Sequence, residues 1–238
     1  GTRYGEFYGY IAEGYFQSEE EIKKSPRQMR ELAPGDIKYK DLNDDGVIDA
    51  NDQCYLGKSW FPSWSYGMGF NINYHNFDLA LFFQGVSDVS IMANGGSIDT
   101  GNGDWGASGV GIVPFTGMGL NPSNVITKAL DRWTADNPRA DAWYPRMTAN
   151  ATTNDNNYVN STHWLKDGSY LRLKQASLGY TLENKKLMDK GIEYLYFYLS
   201  GQNLLTFSKF KLWDPELGSN GAKYPLSRMV TLGMRVSF

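Results

Sequence analysis

Tyr66-Gly67-Met68-Gly69-Phe70-Asn71-Ile72-Asn73-Tyr74 is the stretch that decides the fold. Its even positions are all apolar or aromatic, and its odd positions are glycine or asparagine. A period of two with one wholly apolar face marks a β-strand lying between two unlike environments. His75-Asn76 breaks the run for two residues. Phe77, Leu79, Leu81 and Phe83 then resume it on one face, against Asp78, Ala80 and Gln84 on the other. The pair reads as a hairpin closed by a tight turn.

Three further strands lie toward the C-terminus. From Tyr170 to Leu182 the apolar face begins with Leu171 and Leu173, then changes phase to Ala176, Leu178 and Tyr180. A β-bulge near Gln175 would produce that change. From Ile192 to Thr206, Leu195, Phe197 and Leu199 alternate with Tyr194, Tyr196, Tyr198, Ser200 and Gln202. The last strand sets Val230, Leu232, Met234, Val236 and Phe238 against Met229, Thr231, Gly233, Arg235 and Ser237. Each run is close to the roughly 9–11 residues that a tilted strand needs to cross a bilayer.

Composition agrees with this pattern and narrows the function classes. The 238 residues include 16 Tyr, 12 Phe, 7 Trp and 26 Gly, yet the mean hydropathy is −0.47. Many aromatics with a polar average suit sheets that have one wet and one apolar face, as in outer-membrane barrels and in some soluble sandwiches. A net charge of −3 removes the electrostatic reason to expect nucleic acid. The single cysteine, Cys54, provides neither an intrachain disulfide nor a zinc cage. No apolar run approaches the ~20 residues of a membrane helix, and no leader pattern opens the chain. The sequence starts at Gly1 within a pattern, which leads us to expect a fragment.

Loop lengths are asymmetric. The connections at 75–76 and 183–191 are short, whereas those at about 87–169 and 207–227 are long, as is the stretch before the first strand. Transmembrane barrels have short periplasmic turns and long outer loops, and long excursions in a folded chain usually carry function. We expect residues 1–63 to form an outer loop region and 64–238 the barrel strands with their long loops. One short loop helix is expected after Asn121-Pro122, where Val125, Ile126, Ala129, Leu130 and Trp133 share a helical face. Gly101-Asn-Gly103-Asp-Trp-Gly106 matches the dinucleotide fingerprint only formally, because no strand precedes it and no helix follows.

The sharpest site signal is Asp41-Leu-Asn43-Asp-Asp45-Gly46-Val47-Ile-Asp49-Ala-Asn-Asp52. Oxygen donors fall at loop positions 1, 3, 5, 9 and 12, a backbone carbonyl at 7 and glycine at 6, the spacing by which an EF-hand loop surrounds calcium. Asp52 stands where a bidentate Glu is usual, which is closer to the dockerin type. The expected ligands are Asp41, Asn43, Asp45, Val47, Asp49 and Asp52, holding a structural Ca2+. A solvated acidic turn is the plainer alternative. No catalytic constellation stands out: His75 lies in a turn and His163 in a polar loop, with no metal-spaced partner for either. Trp105, Trp143, Tyr144, Trp164 and Trp213 are loop aromatics that could stack on sugar rings, or could simply pack the loops together.

The order of these segments resembles the C-terminal portion of SusC/RagA-family TonB-linked outer-membrane transporters of Bacteroidota. The resemblance is carried by Phe7-Tyr-Gly-Tyr with Gly14-Tyr-Phe-Gln17, by Pro34-Gly-Asp-Ile-Lys-Tyr-Lys-Asp-Leu-Asn-Asp-Asp-Gly-Val-Ile-Asp49 and by Phe77-Asp-Leu-Ala-Leu-Phe-Phe-Gln-Gly85. It continues in Tyr170-Leu-Arg-Leu-Lys-Gln-Ala-Ser-Leu-Gly-Tyr-Thr-Leu182, Ser200-Gly-Gln-Asn-Leu-Leu-Thr-Phe207, Tyr224-Pro-Leu-Ser-Arg228 and Ser237-Phe238.

This resemblance implies an all-β fold: the last strands of a barrel of about 22 strands around a plug, with long extracellular loops. It implies a protein several times longer than this chain, placed in the outer membrane, with no enzymatic activity. Such transporters import oligosaccharides, or in some cases peptides, into the periplasm. They do so with a SusD-like surface lipoprotein as lid and with TonB acting through the N-terminal part. The terminal Phe238 resembles the signal read by the barrel-assembly machinery, and the 41–52 loop would lie on the outer side. A sheet of only five strands would leave two unpaired edges in lipid, so further strands are expected from elsewhere. The rival reading is a secreted or surface all-β glycan-binding protein with a calcium-stabilised loop. A glycoside hydrolase is weaker still, lacking an identifiable acid pair.

Overall fold

A computed structural model of the chain describes residues 1–94, 127–147, 155–219, 221, 224 and 226–238. In chain order the regular elements begin with β1 (Glu6–Gly9), β2 (Ala12–Tyr15), α1 (Glu19–Lys24), β3 (Ile37–Tyr39) and β4 (Cys54–Ser59). Next come β5 (Trp64–Tyr74), β6 (Phe77–Ser87), β7 (Ser90–Met92) and β8 (Leu165–Asp167). The chain ends with β9 (Tyr170–Leu182), α2 (Lys185–Met188), β10 (Tyr194–Ser208) and β11 (Met229–Ser237). They fall into two compact units. One comprises Gly1–Phe61, Val89–Asp167 and Leu212–Tyr224, and the other Pro62–Asp88, Gly168–Lys211 and Pro225–Phe238.

The second unit is one antiparallel sheet in the order β11-β10-β9-β6-β5. Directly opposed residues of an antiparallel pair point to the same side, so the register assigns every side chain to a face. Phe70 opposes Leu81, Leu81 opposes Ala176, Leu79 opposes Leu178, Leu178 opposes Leu199, and Leu199 opposes Leu232. A single apolar face therefore runs unbroken across all five strands. The other face carries Asn71, Asn73, Asp78, Ser177, Tyr196, Tyr198, Gln202 and Arg235.

The phase change read at Gln175 is a bulge. Phe82 pairs with Gln175 and its neighbour Phe83 with Leu173, leaving Lys174 as the extra residue. β10 answers it with a second irregularity, since Gln202 pairs with Gln175 and Leu205 with Leu173. Asn203 there takes φ 53°, a left-handed value that asparagine tolerates better than most residues. The bulges restore parity, so Leu171, Leu173, Leu205 and Phe207 rejoin the apolar face. In the β5–β6 turn His75 has φ 51°, which closes a two-residue connection.

Gly179 is needed for a close approach. The Tyr196 hydroxyl reaches across β9 to donate to Asp78 Oδ2 at 3.0 Å, and a Cβ on Gly179 would collide with that hydroxyl and with Asp78 Oδ1.

The apolar face has no covering layer among the described residues. Ile72 is 55% exposed, Leu199 47%, Met234 59% and Leu232 80%. A sandwich would bury these side chains against a second sheet.

The first unit is built differently, from three two-stranded ribbons, β1–β4, β2–β3 and β7–β8, around an aromatic core. Phe16, Tyr39, Tyr144 and Trp164 are buried there with Ile37, Ile48 and Ile91. The short β3 borrows side chains to complete its hydrogen bonds. Gln28 donates to the Ile37 carbonyl at 2.8 Å and accepts from the Tyr39 amide at 2.7 Å, while Asn157 accepts from the Ile37 amide at 2.8 Å. Buried backbone groups must be paired, and here amide side chains do what a neighbouring strand would do.

The helix expected after Asn121 lies mostly outside the described residues, as do Gly101–Gly106. Its described part, Thr127–Leu130, is a single 3-10 turn, and the chain then extends so that the Trp133 amide bonds to the Tyr144 carbonyl at 2.9 Å. From Asp131 onward the described chain is not helical, and Trp133 is buried against Gly35 and Gln17 of a distant segment and not on a helix face.

If the apolar face meets hydrocarbon, Phe197→Arg will lower stability in lipid vesicles by about 2–4 kcal/mol. Tyr196→Arg, on the other face with Asp78 beside it, will cost clearly less. Urea unfolding in vesicles compares the two, and equal losses would contradict the assignment of faces.

Candidate functional site

Residues 41–52 form a tight loop that ends in a 3-10 turn over Ala50–Asp52. Asp41 Oδ2 accepts the Gly46 amide at 2.8 Å, Asn43 Oδ1 the Asp45 amide at 3.1 Å, and Asp45 Oδ1 the Val47 amide at 2.9 Å. Asp49 caps the turn through the Asn51 amide at 2.7 Å, and Asp52 returns to the Asp49 amide at 2.8 Å as a capping box. Gly46 has φ 83°, the left-handed turn that brings Asp41 back over the loop.

Asp52 is wholly buried. Burial pushes its carboxyl up, but the amides of Asp49, Leu42 and Asn43 outweigh that and hold it below the usual carboxylate range. Asp41 Oδ1 is buried without a hydrogen-bond partner, an arrangement that normally costs free energy. The donor types and this orphaned oxygen suit a hard cation. Among the described residues, however, no group of three or more His, Cys, Asp or Glu side chains is close enough to share a metal.

The tryptophan candidates separate into different environments. Trp164 is 0% exposed; its indole donates to the Asn157 carbonyl at 2.7 Å and it packs against Trp143, Tyr144, Tyr158 and His163. No ring face is left for a sugar, so Trp164 is core. Tyr144 is equally buried. Trp143 is half-buried at the edge of the same cluster, 4.5 Å from the Tyr144 ring centre. Trp213 is also half-buried, donates to the Gly218 carbonyl at 2.8 Å and covers Gly221. Trp105 lies outside the described residues.

Two features of this cluster escaped the sequence. Asp36 is held in a bidentate pair by Arg146 at 3.0 and 2.9 Å, and accepts further from Asn157 and the Ala33 amide. Such a pair is matched in both charge and hydrogen bonds, so losing either partner is costly. His163 is not in a polar loop; it packs edge-on against Tyr15 and Trp164. Burial, reinforced by the Lys166 charge, pushes its ring down to about 3. Contacts between segments more than a hundred residues apart, Asp36 with Arg146 and Tyr15 with His163, complete these environments.

No protein-family model matches the chain. Among curated proteins it is 30% identical over 241 residues to TonB-dependent receptor P26 of Formosa agariphila, covering 94% of this chain and 22% of that protein. It is 28% identical over 254 residues to TonB-dependent receptor P3 of the same organism, covering 100% of this chain and again 22% of the relative. Its fold matches solved structures of the RagAB peptide importer in the open-open state, with a TM-score of 0.63 at 23% identity over 98% of this chain and 22% of that one. The RagAB peptide transporter matches similarly, with a TM-score of 0.64 at 22% identity.

A five-strand wall with one apolar face uncovered among the described residues, together with these relatives, defines an outer-membrane β-barrel protein. Over nearly its whole length the chain is similar to TonB-dependent receptors, and its place is the outer membrane. It spans 22% of the length of the curated relatives it matches. Those relatives are named as receptors and a peptide importer.

The His163 environment has a pH signature. The unfolded chain takes up a proton on this ring below about pH 6.5, while the folded chain resists until about 3. Its contribution is complete above about pH 6.5 and declines as pH falls toward about 3. We expect about 2 kcal/mol to be lost between about pH 7 and about pH 5, and His163→Phe to remove most of that slope. Unfolding curves at the two pH values check this, and an unchanged slope would contradict it.

Proposed function

We propose that this chain forms wall strands and outer loops of a TonB-dependent importer that carries oligosaccharides or peptides into the periplasm. The observation that carries the reading is the apolar face running in register across β5, β6, β9, β10 and β11 with nothing over it among the described residues. Hydrocarbon is a surrounding in which such a face is stable. The outer edges of β5 and β11 have no strand beside them among the described residues, and lipid tolerates no open edge. Further strands of the same protein therefore complete a barrel, about 22 in all by analogy with plugged outer-membrane transporters.

The loops support an import role. The chain leaves the sheet for the first unit after Ser87, before Tyr170, after Ser208 and before Met229. In the register these points lie at one end of the strands, the end of the Trp64–Ser87 pair. The opposite end carries the short His75-Asn76 turn and the α2 connection. Long loops at one rim and short turns at the other put the elaborated rim outside the cell. There it would meet solute and a SusD-like lipoprotein lid, while TonB acts through parts of the protein beyond these strands. The relatives named TonB-dependent receptors and the RagAB peptide importer support this reading.

Uptake by intact cells tests it. Deleting the whole protein should abolish import of at least one class in a panel of labelled oligosaccharides and oligopeptides, and loss of TonB should do the same. Unchanged uptake of the whole panel after deletion would overturn the reading.

Within the same proposal, the 41–52 loop is a structural calcium site held by Asp41, Asn43, Asp45, the Val47 carbonyl, Asp49 and Asp52. Bound calcium would give the orphaned Asp41 oxygen a partner and neutralise the buried Asp52. Saturating Ca2+ should raise the melting temperature, by the equivalent of about 2.7 kcal/mol at a hundredfold excess over the dissociation constant. Chelator should reverse the gain and Asp41→Ala abolish it. Identical melting with calcium and with chelator would refute the site.

A further inference from the structure

Lys166 occupies the centre of β8 and opposes Ile91 of β7. Opposed residues leave an antiparallel ribbon on the same face, and Ile91 is 1% exposed. β7 is buried along its whole length, so the lysine stem starts beside a buried apolar side chain. Its ammonium donates to the His163 carbonyl at 2.6 Å and stands 5.3 Å from the centre of the Trp143 ring.

An ammonium has three donors. One is used by the carbonyl, the ring occupies a second direction, and the third meets no acceptor among the described residues. No carboxylate among them lies within ion-pair distance of it either. The charge that acts on it is that of Lys128, which has the same sign and whose own ammonium is taken by Asp131 at 2.7 Å. Burial, with Lys128 adding to it, pushes the Lys166 ammonium below the ordinary lysine range.

Charges removed from water are normally paired. A cation over an aromatic ring gains about 0.5–2 kcal/mol but keeps its full charge. The chain as a whole is acidic, at −3, so an uncompensated positive site is a local feature and not a consequence of composition. An unpaired, partly desolvated charge beside aromatic rings has the character of a binding group awaiting its counter-ion.

We propose that Lys166, with Lys128 nearby and Trp143 as its platform, receives a carboxylate of the imported solute. This rests on the import reading above and narrows it to acidic solutes. Two sources share that chemistry: the uronate of an acidic oligosaccharide, and a carboxylate of a peptide.

Calorimetry on the purified whole receptor separates them, using tetragalacturonate and tetraglutamate as acidic probes. Maltotetraose and an end-capped tetraalanine serve as neutral counterparts. At least one acidic probe should bind more tightly than its neutral counterpart, and Lys166→Gln should weaken it about tenfold or more. Lys128→Gln should weaken it less, and Lys23→Gln, on α1, not at all. The melting temperature of Lys166→Gln should equal or exceed that of the parent, because an unpaired charge has been removed. Binding of tetragalacturonate alone assigns the carboxylate to sugar acids, tetraglutamate alone to peptides, and both to either source.

Acidic probes that bind no better than their neutral counterparts, or a Lys166→Gln receptor of unchanged affinity, would overturn the inference. Neutral solutes still imported in that case would leave the import reading standing. Acid binding in a protein that imports nothing would uphold the site and refute the import reading.

Discussion

Every peptide N–H and C=O that enters hydrocarbon must find its partner within the protein, and the five-strand ladder obeys that constraint before anything else. Within it, the residues of each strand are free to serve two environments. Parity sends Met68, Phe70, Leu81, Leu178, Phe197 and Met234 to one side, and Asn71, Asp78, Ser177, Tyr196 and Arg235 to the other. The ladder accommodates an extra residue at Lys174 without mixing the faces, because the irregularity between Gln202 and Leu205 compensates for it. Without the bulge at Lys174, strict alternation from Ala176 would turn Leu173 and Leu171 toward the polar side.

The first unit meets the same backbone requirement by other means. Its strands are too short to pair completely, so side-chain amides fill the gaps: Gln28, Asn156 and Asn157 all bond to the backbone of Ile37 or Tyr39. Asp36 and Arg146 tie that edge to a segment 110 residues away. Trp164 closes the arrangement, wholly buried, with its indole bonded to Asn157. Loops can be rigid when their polar groups are paired in this way.

What the sequence made legible follows from how local each signal is. The alternation in Tyr66–Tyr74 and Leu195–Leu199 is a property of consecutive residues, so strands and faces could be read directly; even the bulge at Gln175 showed as a change of phase. The 41–52 loop was legible as a turn with donors at fixed offsets, and the structure orders those donors through amide hydrogen bonds. Long-range environments were not legible. His163 sits among polar neighbours in sequence yet is desolvated by Tyr15 and Trp164, and Trp164 has the exposed look of a loop aromatic while forming the core. The helical spacing of Ala129 and Trp133 misled because irregular loop packing can bury residues four apart as readily as a helix does.

The central claim is that the apolar face of the sheet meets lipid. Spin labels placed one at a time on positions 68 to 73 of the whole receptor in lipid vesicles, with Cys54 replaced by serine, test it most directly. The account predicts collision with oxygen dissolved in lipid at 68, 70 and 72, and with a water-soluble nickel complex at 69, 71 and 73. Accessibility that shows no alternation, or alternation in the opposite phase, would contradict it.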